Sequence, residues 1–261
     1  MASRKIENAK GLYMDGIRDG NVREAVTNYT GDRYTQHSTG VADGIEGFVA
    51  FFDEFVVRNP VRDIRIVRAL EDGQYVFVQA YQDINNGQAK WITTDLFDTD
   101  ENDKIIEHWD VISAVSETSV SGHTQIDGPT EVTDLEATEK NKAVVTEFLT
   151  EVLINGNFDR ATEYVSAETY IQHNPQVADG LDGFARFANG LAEQGLSMRY
   201  HNIFKLIGQG NFVVSYSKMS MGDDQFAVFD IFRLENGLIV EHWDNMEMIL
   251  PEDQWGNSGK F

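Results

Sequence analysis

Two copies of the tetrapeptide EHWD, Glu107–Asp110 and Glu241–Asp244, hold the residues of this chain whose types and spacing best suit chemistry. Side chains alternate across a strand, so His108 and Asp110 would share one face while Glu107 and Trp109 share the other. The same alternation sets His242 and Asp244 against Glu241 and Trp243. A carboxylate and an imidazole held together in an apolar cavity can move protons. Burial raises a carboxyl pKa toward working pH, which suits a general base, and an imidazole can hydrogen-bond an oxygen on which charge develops. The structural alternatives stay open: the aspartate can pair with a helix N-terminus or an arginine, and Trp109 and Trp243 can simply pack.

Further candidates come from a longer repeated segment. YTQHSTGVADGIEGF, Tyr34 to Phe48, returns as YIQHNPQVADGLDGF, Tyr170 to Phe184, 136 residues later (170 − 34), with nine of fifteen positions identical. His37 and His173 are placed to close the site from a loop, with Tyr34, Gln36, Tyr170 and Gln172 as added hydrogen-bond donors. Either histidine can instead brace the loop before the following helix. Asp95 and Asp230, in DLF 95–97 and DIF 230–232, lie on the preceding strand and can face the same cavity. There a second carboxylate raises the pKa of the first, unless a neighbour such as Arg233 claims it. Asp43-Gly44 and Asp179-Gly180 read as helix-capping or turn pairs. A two-histidine, one-carboxylate metal set (His37, His108 and Asp110, repeated by His173, His242 and Asp244) is conceivable. No H-x-x-x-H or H-E-x-x-H pattern supports it, and no glycine-rich phosphate loop is present, so neither metal nor cofactor is expected.

These residues need a scaffold, and the repeat supplies its outline. Gly20-Asn21 recurs at Gly156-Asn157, and ENDKIIEHWD at 101–110 recurs as ENGLIVEHWD at 235–244, 134 apart (235 − 101). An offset this steady over this length means a duplicated domain rather than a solenoid repeat. The Ser-, Thr- and Gly-rich stretch 113–134 reads as the linker, giving domains 1–130 and 131–261 with the boundary near 130. Each copy opens with helical spacing (Val144, Val145, Phe148 and Val152 in the second), followed by a shorter helix around 160–165 and a third after the histidine segment. About four to six antiparallel strands then alternate, with a hairpin turn at Glu235-Asn236-Gly237. Helices before strands imply an α+β layer, one curved sheet closed by helices around a cavity.

Helices first, then YIQHNP, then DG, D-x-F and G-x-I-x-E-H-W-D: in this order, with several of them present twice, the motifs resemble the SnoaL-like branch of the NTF2-like superfamily. The resemblance implies two tandem cone-shaped α+β barrels, each with a deep pocket, and cofactor-free acid/base chemistry of the polyketide-cyclase, aldol or isomerase type on a small apolar carbonyl compound. It implies that the acid/base is the aspartate of H-x-D, here Asp110 and Asp244, with His108 and His242 beside it. The superfamily also holds non-catalytic binding domains, so a ligand-binding or assembly module is the alternative. Family domains that pair through their sheets imply pairing of the two copies within the chain, with a further homodimer open. The second copy keeps His173-Asn174-Pro175 where the first has His37-Ser38-Thr39, which favours the second pocket as the working one.

Composition narrows the partners. With 43 acidic against 21 basic residues the formal charge is −22, a field that repels nucleic acid and anionic lipid. No run of 18 apolar residues suggests a membrane span, and the first residues lack the apolar core of a signal peptide. A soluble cytoplasmic protein is the expectation; the absence of cysteine excludes disulfides and thiolate metal sites.

Overall fold

A computed structural model describes residues 3–261 as an α+β chain in two units, Met1–Ala114 with Leu250–Phe261, and Val115–Ile249. This division differs from the expected boundary near 130. The linker folds with the second unit, and the 250–261 segment folds with the first. Both assignments follow from hydrogen bonds described below.

In unit 1, α1 (Arg4–Gly11) runs into a π-helical turn, Leu12–Arg18, and α2 (Val22–Tyr29) follows. Then come β1 (Thr30–Gln36), α3 (Gly44–Arg58), β2 (Arg62–Asp72), β3 (Tyr75–Ile84), β4 (Ala89–Thr99) and β5 (Ile105–Ala114). The five strands form one sheet in the order β1-β5-β4-β3-β2. Four are joined antiparallel, but β1 lies parallel to β5, a departure from the all-antiparallel expectation. Parallel neighbours need a long crossover, here everything from α3 to β4.

Alternation sorts the sheet into two faces. Val76, Val78, Ala80 and Ile84 of β3, with Phe97 of β4, pack on Leu12, Tyr13, Ile17, Val26, Phe48 and Phe55 from the helices. The register sets Asp95 directly opposite Asp110, and Phe97 opposite His108, on this same inner face.

Unit 2 repeats this order. A short 3-10 turn (Leu135–Ala137) leads into α4 (Thr138–Phe148) and a π-helical turn, Leu149–Ile154. The short helix expected around 160–165 is a 3-10 segment, Phe158–Glu163. Then follow β6 (Ile171–Gln172), α5 (Leu181–Glu193), β7 (Met198–Gln209), β8 (Phe212–Met221), β9 (Asp224–Glu235) and β10 (Leu238–Met248), in the sheet order β6-β10-β9-β8-β7. Asp230 faces Asp244 across the β9–β10 pair, and Phe232 faces His242. Asn236 and Gly237 both take positive φ (53° and 80°), as the two-residue hairpin turn between those strands requires.

The two aspartates read as helix caps or turn formers bond backwards along the chain. Asp43 Oδ1 accepts from the backbone N–H of Gln36 at 2.7 Å, and Asp179 Oδ1 accepts from that of Gln172 at 2.8 Å. Each therefore ties the loop before the third helix back to the first strand. Neither makes a side-chain cap bond to a helix.

Candidate active site

Strand β5 places His108 and Asp110 on the inner face of unit 1, and β4 brings Asp95 beside them. His108 Nε2 lies 2.8 Å from Asp95 Oδ1 and its Nδ1 lies 2.9 Å from Gln36 Oε1, so both ring nitrogens are engaged. Gln36 in turn hydrogen-bonds the Tyr34 hydroxyl. Asp110 Oδ1 accepts from Lys260 Nζ at 2.9 Å. Asp95, His108, Asp110, Gln36, Tyr34 and Ser38 all line a cavity of about 460 Å³. Its other walls are mainly apolar: Ile17, Phe48, Phe51, Phe52, Phe55 and Trp91 are among them.

The two carboxyls of this cluster are driven in opposite directions. Burial pushes Asp95 above the usual carboxylate range, against the hydrogen bond and charge of His108, and the neighbouring Asp110 adds to the rise. Burial acts on Asp110 in the same sense. The Lys260 ammonium, the charge of His108, and hydrogen bonds from Lys260 and Ser38 outweigh it and hold Asp110 below its usual value.

Unit 2 has the same frame with different occupants. His242 Nε2 lies 3.0 Å from Asp230 Oδ1, and its Nδ1 lies 3.1 Å from Gln172 Oε1, which places Tyr170 as the counterpart of Tyr34. Asp244 accepts from Asn174 Nδ2 at 2.6 Å and forms no ion pair with a lysine or arginine among the described residues. Burial raises the Asp244 pKa, and Asp230 adds to the rise against His242 and the Asn174 bond. His242 stays above its ordinary value: burial opposes its charge, but the hydrogen bond to Asp230 and the nearby Asp244 outweigh that loss. The cavity here is about 50 Å³. Met198, Met219, Met221 and Met246 line it; the positions in register in unit 1 are Arg62, Gln82, Ile84 and Ile112, of which Gln82 and Ile112 line the larger cavity. The larger cavity is thus in unit 1, whereas His173-Asn174-Pro175 favoured the second pocket as the working one.

His37 and His173 are not part of either cavity wall, which corrects their expected role. His37 Nε2 lies 2.9 Å from Glu107 Oε1, and its ring stacks on Trp109 at 5.0 Å between centroids. His173 Nε2 lies 2.8 Å from Glu241 Oε1 and stacks on Trp243 at 4.4 Å. Glu107, Trp109, Glu241 and Trp243 occupy the outer faces of their strands, so both histidines brace the outside of the sheet. The metal set of His37, His108 and Asp110, and its counterpart in unit 2, therefore does not assemble. Asp95, His108 and Asp110 do bring one ligand-type atom each within 4.8 Å, as do Asp230, His242 and Asp244. In both sets the histidine already spends its two nitrogens on a carboxylate and a glutamine. Arg233 pairs with Glu241 and Glu235, not with Asp230.

Two tyrosines escaped the sequence reading. Tyr13, on the π-helical turn, donates to Asp95 Oδ2 at 2.6 Å and lies 2.8 Å from Thr93 Oγ1. Tyr200, on β7, donates to Asp230 Oδ1 at 3.0 Å, and Ser215 Oγ donates to Asp230 Oδ2 at 3.3 Å. The phenols reach equivalent aspartates from different elements. At the repeat offset, Tyr13 aligns with Leu149 (149 − 13 = 136) and Tyr200 aligns with Ile64 (200 − 64 = 136). Burial pushes both phenols well above the ordinary tyrosine pKa, with the adjacent aspartate adding to the rise, so both act as donors. Tyr13→Phe and Tyr200→Phe are each expected to lower stability by about 1–3 kcal/mol in urea melts, because each removes one hydrogen-bond donor from a buried carboxylate. An unchanged melt would show that neither bond matters to the fold.

Residues 145–242 match the model of the SnoaL-like domain. Among solved structures, a provisionally assigned ketosteroid isomerase from Kribbella flavida is similar at 14% identity and TM-score 0.37, covering 44% of this chain and 83% of that one. A provisionally assigned SnoaL-like polyketide cyclase from Jannaschia is similar at 20% identity and TM-score 0.36, covering 43% and 90%. An epoxide hydrolase of the LEH-like type from M. tuberculosis is similar at 20% identity and TM-score 0.34, covering 42% and 84%. No curated protein matches the chain.

Proposed function

We propose that this chain, whose residues 145–242 match the model of the SnoaL-like domain, performs cofactor-independent proton transfer on a small, largely apolar carbonyl compound bound in unit 1. The observation that carries this reading is the Asp95–His108–Asp110 cluster set into the wall of a mostly apolar cavity of about 460 Å³. Asp110 is the base. It is ionised, faces the cavity, and is oriented by its neighbours. A carboxylate held below its usual pKa is a weak base, so it matches a carbon acid already activated by flanking carbonyls. The Tyr34 hydroxyl, tied to His108 through Gln36, is the donor for the developing enolate oxygen. Tyr13 and His108 hold Asp95 in place and so keep the cluster rigid. Duplication of one ancestral domain accounts for the matched strand order and the matched histidines.

Binding without turnover is a second reading, favoured by one observation: Lys260 already satisfies the carboxylate that would act as base. Deuterium incorporation into a panel of apolar 1,3-dicarbonyl compounds in D2O separates the two. Exchange by the wild-type chain that falls when the cavity is filled by Val41→Trp supports proton transfer in unit 1. Exchange that survives Val41→Trp and falls instead with Val177→Trp, the counterpart in unit 2, moves the reaction to the other site. Ligand binding with no exchange leaves the binding reading.

A further inference from the structure

The 250–261 segment is built into unit 1. Gly256 N–H donates to Thr39 O at 2.8 Å, and Asn257 Nδ2 donates to Ser38 O at 2.6 Å and to Val41 O at 2.9 Å. Gly259 O takes the Nδ1 side of His37 at 2.7 Å. Gly259 has φ +95°, and a Cβ there would meet the Trp255 ring at 2.4 Å, so the segment turns here only with glycine. The turn sends Lys260 inward, where it is 2% exposed.

What Lys260 meets is specific. Its Nζ lies 2.9 Å from Asp110 Oδ1 and 3.1 Å from Asp110 O. His37 N–H takes the carbonyl of His108, the last that β1 can reach, since the β1–β5 register ends at Gln36 and His108. The Asp110 carbonyl points the same way, two residues on, beyond the end of β1. A buried ammonium is tolerated only when its charge and its hydrogens are both answered; Asp110 supplies the counter-charge and two of the acceptors, one from its side chain and one from its backbone.

Unit 2 has a matching strap without the cation. Thr124 O lies 2.7 Å from His173 Nδ1, as Gly259 O does from His37. Ser121 Oγ donates to Gln172 O at 2.7 Å. The residue after the histidine-capping carbonyl is Lys260 in unit 1 and Gln125 in unit 2, an offset of 135 (260 − 125). Gln125 is neutral and accepts from Ser116 N–H at 2.7 Å. Asp244, with His242, Asp230, Tyr170, Tyr200 and Asn174 around it, has no lysine or arginine paired with it among the described residues.

We infer that Lys260 is a positioning residue of the unit 1 site: it anchors Asp110 as a carboxylate at the end of β1, beside His108 and facing the cavity, whereas unit 2 sets a neutral glutamine at the equivalent place and leaves its aspartate without a cation. This rests on the reading of Asp110 as the base. The other groups facing Asp110 are His108 on its own strand, Asp95 from β4, Tyr34 from β1, Ser38 from the following loop and, through Asp95, Tyr13 from the helical layer.

The test reads the carboxyl directly and needs no substrate. The chain is labelled with 13C at the aspartate carboxyl carbons, the Asp110 and Asp244 signals are assigned with Asp110→Asn and Asp244→Asn, and both are titrated in the wild type, Lys260→Met and Lys260→Arg. Lys260→Met should move the Asp110 midpoint up by about 1–3 pH units, Lys260→Arg should keep it low, and Asp244 should not move. An Asp110 midpoint unchanged in Lys260→Met overturns the inference. So does an equal shift at Asp244, which would mark a global change. Deuterium exchange is then measured on the same variants. A shifted midpoint with no exchange in any of them sinks the proposed reaction while the anchoring role of Lys260 stands.

Discussion

Asp110→Asn is expected to slow deuterium exchange in unit 1 by about 10²–10⁴-fold, the usual contribution of a positioned acid/base group. Asparagine keeps the shape of the side chain but cannot accept the proton, so cavity and ligand contacts persist while the step is lost. The substitution also strips the buried Lys260 of its counter-charge, and an unpaired buried ammonium loses its proton or destabilises the fold. A rate loss alone could then reflect a damaged strap. The double variant Asp110→Asn/Lys260→Met removes both charges together and should recover the melting temperature without recovering exchange. Recovery of both would show that Asp110 matters only through the fold. The pH dependence follows from the sign of the shift. Because the folded pKa of Asp110 is depressed, the base is present at neutral pH and persists into the mildly acidic range. The rate should therefore fall only as pH drops through that depressed value, not near neutrality.

How much of this site was readable beforehand depended on whether the information was local. His108 and Asp110 follow from alternation within one strand, and Asp95 reaches Asp110 through a short hairpin, so the three were legible together. Alternation also carried a signal that went unused. Tyr34 and Gln36 share a face on β1, which turns the next residue, His37, outward; all three cannot face the cavity. Residue 38 or 174, directly after the histidine, touches the key aspartate instead, as Ser38 to Asp110 and Asn174 to Asp244. The two phenols were hidden because they break the repeat: Tyr13 aligns with a leucine and Tyr200 with an isoleucine, so searching for matched positions passed over both. Lys260 lies 150 residues from its partner in a segment with no motif. Its pairing depends on where the chain returns after the second sheet, which no local pattern encodes. Cavity size was equally remote from sequence pattern, since four methionines scattered over three strands line the small cavity of unit 2.

The outer faces of the sheets support a second large effect. Arg233→Met is expected to destabilise unit 2 by about 3–5 kcal/mol in urea melts at neutral pH, the range for breaking a buried ion pair from one side. Glu241 is 1% exposed and sits between Arg233 Nε at 2.6 Å and His173 Nε2 at 2.8 Å. Burial would raise its pKa, but the hydrogen bonds from His173 and Arg233 and the charge of Arg233 hold it below the ordinary glutamate value of 4.5. Removing the arginine leaves a buried carboxylate with one partner. The counterpart in unit 1 makes the contrast: Glu107 is one-fifth exposed, and Arg33, its arginine at 3.3 Å, is more than half exposed. Arg33→Met should therefore cost at most about 1 kcal/mol. Linkage fixes the pH behaviour of the larger effect. A depressed carboxyl contributes its stability above the unfolded-state pKa and loses it as pH falls through the folded-state value. The gap between wild type and Arg233→Met should be full at neutral pH and narrow in acid as Glu241 takes up a proton, first in the variant, where the arginine no longer opposes burial, and then in the wild type. A gap that is constant from neutral pH into acid would assign the loss to packing of the arginine stem rather than to its charge, and equal losses from Arg33→Met and Arg233→Met would remove burial as the deciding factor.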